Sequence, residues 1–124
     1  MRISLLMAAV LTILLAAAHS YLGERYILIR LFRRTDLPEL FGGVEFTKET
    51  LRFAWHITSI AWLGLASLIV VLAASPGEAQ LTQARLIAGV FGASGVTALI
   101  GSRGRHLSWV AFFAIAALVW FGYP

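Results

Sequence analysis

His19, His56 and His106 are the residues of this chain best suited to chemistry. A neutral imidazole can take up or pass a proton near neutral pH, and it ligates zinc, copper, nickel or haem iron. His19 stands three residues before the end of a first long apolar run. His56 stands three residues past the start of a second, and His106 heads a fourth. With a rise of 1.5 Å per helical residue, the three fall within about 5 Å of one plane. They are therefore candidates for a shared metal or haem site, for a hydrogen-bonded polar cluster, or for separate interfacial side chains. Tyr21, Trp55 and Trp109 keep them company, as aromatic residues do at a membrane boundary. There is no His-x-x-x-His, no Glu-x-x-His and no carboxylate inside any apolar run, so no cofactor is implied.

Two stripes extend the histidine pattern. At 100° per residue, Glu49, Arg52, His56, Ser59 and Ser67 project within about 80° of arc. Thr12, Ala16, His19, Gly23, Tyr26 and Arg30 form a second stripe of small and polar residues. Intramembrane polar groups face a bundle interior or a watery cavity. The two stripes are thus expected to face each other around a pocket, with Glu49 and Arg52 at its mouth. Glu24 joins them if the first helix continues that far, and His106 if the fourth packs alongside. The competing reading is plain interhelical hydrogen bonding, worth roughly 0.6–2 kcal/mol per contact. Ala88, Gly89, Gly92 and Gly95 form a small-residue face on the third run, expected to pack against the fourth run or a second copy of the chain. His106, Trp109, Phe113 and Trp120 form a packing stripe on the fourth.

The elements that position these residues follow from composition. Of 124 residues, 60% are hydrophobic and 13% charged, against about 25% charged in an ordinary soluble domain. That excludes a soluble globule and a disordered tail. The absence of cysteine excludes disulfides, thiolate metal sites and cysteine nucleophiles. Four runs free of Asp, Glu, Lys and Arg are expected to span a bilayer as helices: residues 3–22, 53–74, 86–102 and 107–123. They form one domain over residues 1–124: an all-α, four-helix integral membrane bundle. The connecting segment 23–52 holds six basic and five acidic residues. Within it, Tyr26–Arg34 reads either as a basic amphipathic helix at the headgroup level or as an extension of the first span. Asp36-Leu37-Pro38-Glu39 has the form of a helix start, and Thr47 is expected to cap the second spanning helix. Ser75-Pro76-Gly77 signals a turn. The four-residue link Arg103-Gly104-Arg105-His106 makes the third and fourth helices antiparallel neighbours.

Eight of the ten basic residues lie on the two connections that share a side; Arg2 and Arg85 lie opposite. Basic flanks stay cytoplasmic, so an inner-membrane protein with both termini outside is expected. Met1-Arg2, the apolar run and Ala16-Ala17-Ala18-His19-Ser20 also have the form of a cleavable signal peptide. Cleavage would put Arg25, Arg30, Arg33 and Arg34 outside, against the same rule, so an uncleaved span is preferred.

The isoelectric point of 10.4 does not imply nucleic-acid binding, because the basic residues flank spans and alternate with acids. No Walker pattern, nucleophile elbow or catalytic triad is present. The chain resembles the small multidrug transporters in length and span count, but their acidic residue within the first span has no counterpart in residues 3–22. The leading expectation is a non-enzymatic accessory or structural subunit, partnered by lipid and by a homo-oligomer or larger membrane complex. The next is a histidine-bearing metal, haem or proton-handling protein, and the third a small transporter or channel.

Overall fold

The computed structural model describes residues 2–74 and 77–123, and all their side chains except those of Glu78 and Ala79. Every regular element is helical: α1 (Ile3–Gly23), a π-helical turn (Glu24–Leu28), α2 (Ile29–Leu31), α3 (Glu45–Ala74), α4 (Glu78–Ser102) and α5 (Ser108–Gly122). Three helical stretches are long and apolar enough to cross a membrane: Ile3–Leu31, Glu45–Ala74 and Gln80–Ser102. The last helix, α5, is equally apolar but has only 15 residues.

The core is built where the runs converge. α1 packs on α3 along one side and on α5 along the other, and α5 packs in turn on α4. Leu5, Ala8 and Ala9 of α1 meet Ile69 and Leu72 of α3, Ala84, Ile87 and Phe91 of α4, and Phe112, Ile115 and Val119 of α5. Alanines at the α1 contacts let the helix axes approach closely, which is how helices bind one another where lipid supplies no hydrophobic drive. The end of the bundle away from the histidines is pinned by Tyr123, which is buried. Its hydroxyl donates to the Gly77 carbonyl at 2.8 Å and accepts from the Gly77 N–H at 2.7 Å. The Arg2 guanidinium lies over the Tyr123 ring, 4.1 Å from its centre.

The segment after α1 takes one of its two expected forms, the extension of the first span. Tyr26–Arg34 is not a separate interfacial helix: α1 runs on through the π turn into α2 and ends at Leu31. The π turn inserts an extra residue into the helical repeat. It turns Leu28 inward, 2% exposed, and leaves Tyr26 and Arg30 outside, so the stripe projected at 100° per residue breaks at Gly23. Nor does a helix start at Asp36. Residues 36–39 are irregular, and Leu40 and Gly43 close a tight turn in which Phe41 and Gly42 both have positive φ, 53° and 90°. Gly42 accepts that conformation at no cost. Helix α3 begins at Glu45, so Thr47 lies inside it. Its hydroxyl holds the loop instead, donating to the Pro38 carbonyl at 2.8 Å. Ser75 and Pro76 of the expected turn lie outside the described residues. The α4–α5 link closes as a left-handed cap: Arg103 and Gly104 have φ of 52° and 76°, and the Gly104 N–H reaches the Leu99 carbonyl at 2.9 Å.

Candidate functional site: a histidine and serine chain between two helices

The polar ends of α1 and α3 meet side by side. Gly23 makes this possible: a Cβ at that position would overlap the Trp55 indole. Trp55 uses the space to donate from Nε1 to the His19 carbonyl at 3.0 Å. Its ring stacks on the His19 imidazole at 4.7 Å, with 5° between planes. Trp62, two turns further along α3, meets the same imidazole edge to face, with ring centres 4.8 Å apart. His19 is therefore gripped between two indoles, a pairing that fixes ring orientation as well as burying apolar surface.

From this ring an unbroken chain of polar contacts leads to the bundle's edge. His19 Nδ1 lies 3.0 Å from Ser59 Oγ. Ser59, which is buried, accepts a hydrogen bond from the Ser20 hydroxyl at 2.9 Å. Ser20 Oγ lies 2.9 Å from His56 Nδ1. His56 Nε2 reaches Glu24 Oε2 at 3.3 Å, and Glu24 also pairs with the Arg52 guanidinium at 3.1 Å. Ser59 within the chain is buried, and Arg52 at its outer end is half-exposed.

Each serine hydroxyl donates once and accepts from its other neighbour, and an imidazole donates from a protonated ring nitrogen and accepts at a bare one. The series His19–Ser59–Ser20–His56 can therefore be satisfied in either sense, with the Glu24 carboxylate accepting from His56 Nε2. Turning both hydroxyls over reverses it, which is the property a proton relay needs.

Of the residues expected at the pocket, His19, Glu24, Arg52, His56 and Ser59 come together. Glu49 stays exposed and makes no ion pair or side-chain hydrogen bond among the described residues; Glu24 takes the place expected of it. Ser67 turns away, donating to the Leu63 carbonyl. His106 stays out of the chain, its Nδ1 held 2.8 Å from Ser108 Oγ. It lines an open groove of about 590 Å³ between α1 and α5, on whose opposite wall His19 lies. Among the described residues, no group of three or more His, Cys, Asp or Glu is arranged to hold a metal ion. The three histidines thus do not converge on one centre.

The projection missed Ser20, Trp55 and Trp62 as members of the site. Ser20 lies 100° round the helix from His19 and so fell outside a narrow stripe. The signal was there in another form: His-Ser-x-x-x-Glu on α1 opposite Arg-x-x-Trp-His-x-x-Ser on α3. On the expected packing face, Ala88 is buried and Gly95 abuts Phe113, while Gly89 and Gly92 have open space where a Cβ would stand. No protein-family model matches the chain, and no curated protein or solved structure shows significant similarity to it.

Proposed function

We propose that this chain is a multi-pass inner-membrane protein that handles protons at the cytoplasmic edge of the bilayer. Four spans, with both termini outside, are the topology that fits this reading. α5 would extend only about 22 Å, but it packs between α1 and α4 and carries Trp109 and Trp120 near its ends, as a short span in a locally thinned bilayer does. One observation carries the functional reading: the hydrogen-bonded series His56–Ser20–Ser59–His19, with the exposed ion pair of Glu24 and Arg52 at its outer end. Glu24 and His56 take a proton from cytoplasmic water, and the two serines deliver it to His19 at the groove. No enzymatic step is part of the proposal. The test is nitrogen NMR of the histidines in nanodiscs across pH. Coupled titration of His19 and His56 is expected, and Ser20→Ala uncouples them. Independent titration in the parent protein refutes the reading.

A second reading, an accessory subunit that self-associates or joins a larger complex, has its own support. Gly89, Ala93, Thr97 and Gly101 recur every fourth residue on α4, and all four are exposed. Small residues at this spacing let a second helix approach closely. The chain has no cysteine, so Ala93→Cys provides a clean probe: oxidation in membranes yields a disulfide dimer under this reading, and a monomer counts against self-association.

A further inference from the structure

The groove between α1 and α5 has a polarity that the proton chain does not use. Leu15, Leu22 and Ala111 line its apolar length, and Tyr26 and Arg105 stand at its polar end. The guanidinium groups of Arg25 and Arg30 lie 5.9 and 5.8 Å from the centre of the Tyr26 ring. Arg105 thus lines the groove itself, and Arg25 and Arg30 flank the Tyr26 ring that stands beside it. None of them is ion-paired among the described residues; the pairs found use Arg34, Lys48, Arg52 and His56. Glu24, the acid nearest in sequence, is engaged by Arg52 and His56. The volume, about 590 Å³, is within the range of small-molecule sites, roughly 300–1,000 Å³.

An apolar trough that ends in uncompensated positive charge complements a ligand built the other way round. We infer that the groove holds one anionic glycerophospholipid of the surrounding bilayer. Its phosphate sits at Arg105, with Arg25 and Arg30 beside it, and one acyl chain runs along Leu15, Leu22 and Ala111. Basic pockets between helices at the cytoplasmic face capture anionic headgroups in this way. A zwitterionic lipid brings its own cation into the same cluster and loses the advantage. The inference does not depend on proton transfer, because no phosphate contact involves the serines or His56.

The experiment is native mass spectrometry of the full chain released from nanodiscs of equal phosphatidylglycerol and phosphatidylcholine. One phosphatidylglycerol per chain is expected to survive delipidation in preference to phosphatidylcholine. Arg105→Gln should lower that preference about fivefold, the effect of one basic residue at a charged surface. Arg85→Gln is the control: it lies over the Trp120 ring on α5, away from the groove mouth, and should change nothing. Equal retention of the two lipids overturns the inference, and so does an equal loss in both variants. Circular dichroism of each variant separates loss of lipid from loss of fold.

Discussion

Ser20 and His56 are separated by 36 positions and meet at 2.9 Å, with Ser20 also bonded to Ser59 at 2.9 Å. One hydroxyl therefore joins two histidines on two helices. Removing it breaks two contacts at once. Ser20→Ala is expected to cost about 1–4 kcal/mol, at roughly 0.6–2 kcal/mol per interhelical bond, and to remove the coupling between His19 and His56. His56→Phe should insert normally, since hydrophobicity rises, and should remove the coupled component from the His19 spectrum. Parent-like histidine spectra in Ser20→Ala would reduce the chain of contacts to helix glue.

The close approach of α1 and α3 depends on Gly23. Gly23→Ala places a methyl group inside the Trp55 ring, so the helices must separate or the His19 stack must break. Overpacking of this kind costs about 1–3 kcal/mol. Gly89→Ala has open space around it and should be neutral or gain up to about 1 kcal/mol of helix propensity. Thermal unfolding in detergent compares the two; equal midpoints would show that the Trp55 contact is not restrictive.

The loop after α2 carries a separate pH signal. Arg34 clasps the Asp36 carboxylate, donating from Nε to Oδ1 at 2.8 Å, and this holds the Asp36 pKa down at about 2. A carboxyl whose folded pKa is depressed adds stability above its unfolded value, and that contribution disappears as pH falls through about 2. The pair is fully exposed, so only the titration is expected to be readable. Carbon NMR of Asp36 should show its low midpoint, and Arg34→Gln should return it toward the ordinary carboxylate range, about 3.9. An unchanged midpoint in that variant would remove Arg34 as the cause.

Accessibility labelling of single cysteines at residues 40, 80 and 104 should read inside, outside, inside. The expectation rests on eight basic residues lying on the two connections of one side. Labelling of residue 40 from outside would invert the protein and move the Glu24 end of the polar chain away from the cytoplasm.

Much of the scaffold was legible in the chain alone. Long runs without charge can satisfy their backbone in lipid only as helices, so Ile3–Gly23, the 53–74 length of α3 and the apolar length of α4 follow from local composition. The position of the two histidines near one level follows as well, because helical rise is constant. Turn chemistry was harder. Asp36–Glu39 has the spelling of a helix start, yet Pro38 gives its carbonyl to Thr47 and the chain turns back at Gly42. What tertiary structure alone decided is which polar groups share a bond. Glu24 displaced Glu49 because α1 continues past Gly23 and brings its carboxylate to His56, whereas Glu49 ends up facing water. Ser20 entered the site because a gap of one residue on a helix becomes a lateral step of a few ångströms, and the neighbouring helix bridges it. Periodicity reports the face of one helix; the angle and depth at which two faces meet depend on contacts such as Gly23 against Trp55, which no single helix encodes.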